Sequence, residues 1–133
     1  MSWPTIGEIQ DIYGSLSHDK LQKRLEWSRL RAIREIKSAC SALYDVTGWD
    51  ADAPPALADL VYPMTYGFLT GVVHVGAKTS AHDESGVEQL KDARDQLKHY
   101  ASGAWLLLDA DDLEIGQRSF ANGVNRTTEP VLG

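Results

Sequence analysis

The chain has 133 residues, 43% of them hydrophobic and 24% charged, with a formal net charge of −6. That is the length of one domain with a modest core and the composition of an ordinary folded protein. The acidic balance argues against general nucleic-acid binding, and a single cysteine, Cys40, excludes an internal disulfide framework and fits a reducing compartment.

Thr5, Ile6, Gly7 and Glu8 have the capping-box form, in which the hydroxyl takes an orphan amide and the glutamate reaches back. They predict a short first helix stopped at Gly14, with Ile6, Ile9 and Tyr13 on one side. Neither a basic region nor an apolar run marks a signal peptide here. Ser17 suits the N-cap of a second helix, with Asp19 favourable in its first turn. Leu21, Leu25, Ser28 or Arg29, Ala32 and Ile33, Ile36, Cys40, then Leu43 and Tyr44 recur at helical spacing, uninterrupted by proline or glycine until Gly48. The pattern predicts a spine of roughly 30 residues and about 45 Å.

Residues 49–54 read as a loop, and Pro55 suits the first position of a third helix. That helix carries Leu57, Leu60, Val61, Met64, Phe68, Leu69 and Val72. Pro63 within it is expected to kink it or split off its first turn. Gly67, Gly71 and Gly76 add flexibility or permit close helix contact. Because it is apolar on more than one side, this helix is expected at the centre. Residues 78–84 read as a polar loop. Ser85, Gly86, Val87 and Glu88 form a second capping box, opening a fourth helix with Val87, Leu90, Ala93 or Arg94, Leu97 and Ala101 on its stripe. Past Gly103, the apolar residues 105–108 add a turn or lead out. No segment approaches the roughly 20 apolar residues of a membrane helix.

Residues 109–133 have almost no apolar stripe to fold onto the chain's own core. Leu113, Glu114 and Ile115, and then Arg118, Ser119 and Phe120, alternate enough for a short β-hairpin, with Asn122 and Gly123 as a turn signal. A lone hairpin is marginal in water, so partner chains are expected to order this tail. The expected fold is therefore all-α: a small bundle of about four helices with one long central helix. Residues 1–108 form the helical domain and residues 109–133 an extended C-terminal tail.

Charge is unevenly spread. Residues 17–37 hold seven basic side chains against three acidic, and residues 83–114 hold nine acidic against three basic. The poles read either as solvated helix faces or as complementary patches for head-to-tail pairing of like subunits, a contact that closes into rings. Trp3, Trp27, Trp49 and Trp105 are many for this length. Trp27 lies off the apolar stripe, where it either packs on the first helix or anchors an interface, since tryptophan and arginine are enriched at hot spots. Interface residues are expected in three places: the basic face of the long helix (Arg24, Arg31, Arg34), the exposed aromatics (Trp3, Trp27, Trp105) and the tail (Phe120, Asn125, Arg126, Val131).

Catalytic chemistry finds no support. His18, His74, His82 and His99 are scattered without metal-ligand spacing, so no metal or other cofactor is expected. Cys40 sits on the apolar stripe and reads as a small core residue. Asp109, Asp111, Asp112 and Glu114 lack the spacing of a calcium loop. Asn125, Arg126 and Thr127 match a glycosylation acceptor by chance. The chain is not expected to be an enzyme.

The layout resembles the head–tail adaptor (connector) proteins of long-tailed bacteriophages over residues 4–103. The resemblance rests on the opening Pro4-Thr5-Ile6-Gly7-Glu8-Ile9 with Asp11 following, the long helix ending near Leu43 and Tyr44, and the loop with Trp49, Pro54 and Pro55. It continues with Ala56-Leu57-Ala58-Asp59-Leu60 and the closing Leu97-x-x-Tyr100-Ala101-Ser102-Gly103. The third-helix glycines and everything from Trp105 onward have no match in that pattern. The resemblance implies a structural virion protein in the neck, assembled in the host cytoplasm. Its partners would be further copies of itself in a ring, commonly of twelve subunits, the portal protein above, and a stopper or tail-completion protein below. Packaged DNA would pass through the channel without specific binding, and no membrane is involved. The competing expectation is a small helical binding or regulatory protein, whose basic long helix (Lys20, Lys23, Arg24, Arg31, Arg34) contacts nucleic acid or a protein partner; steep loss of DNA affinity with salt would mark it.

Overall fold

A computed structural model describes residues 2–13, 19–73 and 81–118. Its four helices are α1 (Ile6–Tyr13), α2 (Asp19–Cys40), α3 (Pro55–Val73) and α4 (Ala81–Ala101), the all-α bundle that the periodicity predicts. The capping box of α1 forms as expected: the Thr5 amide donates to Glu8 Oε1 at 2.9 Å and the Glu8 amide to Thr5 Oγ1 at 3.2 Å. Pro4 and Ile9, at the two positions of a hydrophobic staple, are both buried.

The centre belongs to α3, which packs extensively on both α2 and α4. Leu57, Ala58, Leu60, Val61, Met64, Phe68 and Leu69 are all buried. The longest helix, α2, flanks this centre. The physical reason is that α2 has a charged face and α3 has none. Pro63 does not split α3, which continues through it as one helix.

α2 is also shorter than expected, 22 residues against roughly 30. Beyond Cys40 the amides of Leu43 and Tyr44 both donate to the Cys40 carbonyl, and the Ser41 hydroxyl bonds back to Ser38 O. A carbonyl shared by the i+3 and i+4 amides is common at helix ends, and the regular ladder stops here. These bonds turn Tyr44 into the core, where it lies 6.3 Å from Trp49.

The second capping box is corrected as well. Residues 85–88 lie inside α4, which begins at Ala81. Gly86 is buried and Val87 faces solvent, so the stripe runs Gly86, Leu90, Ala93, Leu97. Gly86 serves close helix approach. A Cβ on Gly67 of α3 would lie 2.5 Å from Leu90 Cβ and 2.9 Å from Gly86 O.

The first part of the expected tail folds on its own chain. Gly103, at φ 83°, ends α4 in the left-handed conformation that glycine favours, and the chain reverses. Leu107 is buried, Ile115 packs on the core, and Leu108 and Glu114 form an isolated antiparallel bridge. The Ile115 amide donates to Leu107 O at 2.8 Å and the Arg118 amide to Leu43 O at 2.7 Å. These contacts hold residues 107–118 against the bundle. Most of the expected hairpin, Ser119, Phe120 and the Asn122-Gly123 turn, lies outside the described residues.

Two hydroxyls, Ser28 Oγ and Thr65 Oγ1, are buried without a hydrogen-bond partner. Removing such a group relieves a desolvation penalty of order 1 kcal/mol. Ser28→Ala and Thr65→Val are each expected to stabilise the fold by about 1 kcal/mol, read as a higher urea midpoint. Cys40 is fully buried, and burial pushes its thiol up from 9.0 to about 11. The folded state therefore favours the neutral thiol. That contribution is complete below pH 9 and is lost as pH rises through about 11. Iodoacetamide at pH 8 is expected to leave the folded chain unlabelled and to modify Cys40 on unfolding; rapid labelling of the native chain would contradict this packing.

Candidate functional site

The outward face of α2 carries Lys23, Trp27, Leu30, Arg31 and Arg34, all exposed and spaced three, four or seven residues apart. Trp27 is 52% and Leu30 47% exposed. The stripe forms because Leu25, Ser28, Ala32, Ile33, Ile36 and Cys40 take the opposite side into the core. Trp27 is an outward-facing side chain and not one packed away, while Arg24 is exposed on the same helix.

Arg31 is held in place from below. Its guanidinium carbon lies 4.2 Å from the centre of the Phe68 ring and 5.8 Å from that of Trp27. Phe68, buried on α3, also receives Arg94 of α4 at 5.2 Å. Arg94 in turn forks onto Glu35 of α2, with Nε and one terminal nitrogen each 2.8 Å from a carboxylate oxygen. This planar two-point match is the strong form of the ion pair. The bonds to Glu35 raise the Arg94 pKa above its ordinary value. One residue from each charge pole is therefore consumed inside the molecule. Among the described residues, Arg31 and Arg34 have no carboxylate partner. Arg31, Arg34, Glu35, Ser38 and Ala39 line a shallow depression of about 390 Å³.

Compared with models of known protein families, with curated proteins and with solved structures, the chain matches none.

A second surface lies at the reversal after α4. Trp105 stacks on His99 at 4.4 Å and meets the edge of Tyr100 at 5.2 Å, yet remains 41% exposed. Leu106 and Leu113 are 60% and 63% exposed. Asp111, Asp112 and Glu114 are exposed around them. Asp109 shapes the turn, since its Oδ1 accepts the amides of Asp111 at 2.9 Å and Leu113 at 3.0 Å. Asp112 sits at φ 60° in the resulting turn. Among the described residues no cluster of three or more His, Cys, Asp or Glu could hold a metal ion.

Trp3 corrects the expected set of exposed aromatics. It is 5% exposed, and its indole N–H donates to Asp50 Oδ1 at 3.3 Å. Asp50 also receives Lys37 Nζ at 2.9 Å, and this bond holds its carboxyl below the usual carboxylate range. Arg29, which donates to Pro4 O, pins the same N-terminal stretch of chain to α2. The available signal was position: Trp3 stands next to a staple residue at the entry to a capped helix. Phe120, Asn125, Arg126 and Val131 lie outside the described residues. Sequence reasoning missed Leu30, Leu106 and Leu113. Leu30 was discoverable from the helical pattern that exposes Trp27, but the two others depend on the chain reversal.

Proposed function

We propose that the chain is a structural virion protein, a head–tail adaptor that assembles as a ring beneath the portal, extends the DNA channel and docks the stopper or tail. The observation that carries this reading is the pair of surfaces. A small bundle presents a basic Trp27–Leu30–Arg31–Arg34 stripe and, separately, an acidic turn with Trp105, Leu106 and Leu113. Exposed aromatic and aliphatic side chains ringed by charge suit protein contacts, where tryptophan and arginine serve as anchors. The layout resemblance supplies the place in the virion. A net charge of −6 suits a channel wall that does not grip phosphate.

Light scattering after size exclusion tests it, with the chain alone and mixed with the portal ring of the same virion. Co-elution with the portal is expected. A chain that ignores the portal and binds duplex DNA with steeply salt-dependent affinity would replace this reading with a nucleic-acid-binding one. Against the latter stand Glu26 and Glu35, interleaved in the basic helix.

A further inference from the structure

The two surfaces are complementary to each other. Of the seven large apolar side chains exposed among the described residues, five lie in them: Trp27 and Leu30 on α2, and Trp105, Leu106 and Leu113 at the turn. Their charges are opposite: Lys23, Arg31 and Arg34 on one, Asp111, Asp112 and Glu114 on the other. Part of each surface is held in place before any contact is made. Arg31 rests on the Phe68 ring. The turn is closed by the Asp109 carboxylate, by the Asp109 amide donating to Leu113 O at 2.8 Å, and by the Leu108–Glu114 bridge. Side chains already fixed lose little entropy on docking.

We propose that the acidic turn of one copy, through Trp105, Leu106 and Leu113, docks on the Trp27–Arg34 face of α2 of a second copy. Within one chain the two surfaces remain exposed, so neither covers the other. Stripe against stripe, or turn against turn, would oppose like charges, which costs affinity. Only the unlike pairing matches both charge and apolar content. Such a contact is heterologous: each copy retains one unused stripe and one unused turn, and addition continues until a ring closes or a filament grows. The shallow depression lined by Arg31, Arg34, Glu35, Ser38 and Ala39, about 390 Å³, adds relief to the same helix. This deepens the adaptor reading by assigning the surfaces that join its subunits, and it rests on that reading for the closure into a ring.

The test uses two full-length variants in sedimentation velocity at low salt. Trp27→Ser/Arg34→Glu disables the stripe and keeps the turn. Leu113→Ser/Glu114→Lys disables the turn and keeps the stripe. All four positions are exposed, and circular dichroism checks that each variant folds. The unmodified chain is expected to form species larger than a dimer that shrink as salt rises. Each variant alone is expected to lose affinity by about 30-fold or more, the effect of removing a hot spot. An equimolar mixture of the two is expected to give a one-to-one dimer and nothing larger, because only one intact stripe and one intact turn can meet. An unmodified chain that stays monomeric up to about 1 mM, the weak limit of specific association, overturns the proposal. So does assembly of either variant like the unmodified chain, or a mixture that stays as two monomers while the unmodified chain assembles. These outcomes are read on the chain alone, whereas failure of the adaptor reading appears as failure to co-elute with a portal, so the two failures are distinguishable.

Discussion

Gly67→Ala is expected to lower stability by about 3 kcal/mol, the upper end of what an added methyl costs in a closely packed interior. For a domain of this size that corresponds to a fall in Tm of roughly 10 °C. The new Cβ would stand 2.5 Å from Leu90 Cβ and 2.9 Å from Gly86 O. Neither obstacle is the far end of a flexible side chain, so α3 and α4 must move apart. Leu90→Ala added to the variant should recover little, since its own Cβ and the Gly86 carbonyl remain. Gly48→Ala is the control: nothing lies within 4 Å of a Cβ there, and its melt should stay close to that of the unmodified chain. Phe68 follows Gly67 in α3 and carries Arg31 on its ring, so separation of the helices should also loosen the α2 stripe. Thermal melts of the three variants decide the matter, and a Gly67→Ala chain that melts with the unmodified one would show that α3 and α4 are not in such close contact.

Ending the chain after Ala104 is expected to cost about 4 kcal/mol, because Leu107 and Ile115 leave the core together and a buried aliphatic side chain is worth roughly 2 kcal/mol. Ending it after Ile115 keeps both side chains and, among the described residues, removes polar docking contacts. The Arg118 amide bonds to Leu43 O, the Arg118 guanidinium bonds to Ser41 O at 2.8 Å, and the Gln117 side chain hydrogen-bonds Tyr44. That loss should be about 1–2 kcal/mol, the net worth of a few hydrogen bonds. A chain ending after Arg118 keeps these contacts of residues 107–118 with the bundle. Urea unfolding of the three truncations should therefore give a graded series of midpoints. Equal midpoints for the chains ending at Ala104 and Arg118 would mean that the reversal contributes nothing to the core.

The charged poles illustrate how tertiary contact sorts residues that look alike in the sequence. Glu35 and Arg94 each stand against the prevailing sign of their segment, and they satisfy each other across α2 and α4. Their pairing leaves Arg31 and Arg34 to define the stripe. Arg31, in turn, is aimed by an aromatic ring on a third helix, a placement that no spacing within α2 reveals.

Local chemistry was legible where a few adjacent residues settle it. The Thr5–Glu8 capping box, Pro55 at the first turn of α3, the core face of α2 and the exposure of Trp27 all follow from hydrogen-bonding capacity and a 3.6-residue period. The all-round apolar character of α3 likewise placed it at the centre. Tertiary structure alone decided the rest. Ser85, Gly86, Val87 and Glu88 satisfy the pattern of a helix start, yet Gly86 is needed where α4 meets Gly67. Trp3 reads as an exposed aromatic until Asp50, 47 residues away, accepts its N–H. The segment from Leu107 to Arg118 looks coreless because it has only two inward residues, and its other contacts are backbone bonds and bonds from the polar side chains of Gln117 and Arg118, which read as solvated in the sequence. Sequence alone determined the presence of four helices and the buried faces of α2 and α3, since those depend on neighbours within a turn or two. Which surfaces remain outside for a partner depended on contacts between residues far apart in the chain, and only the folded bundle brings those residues together.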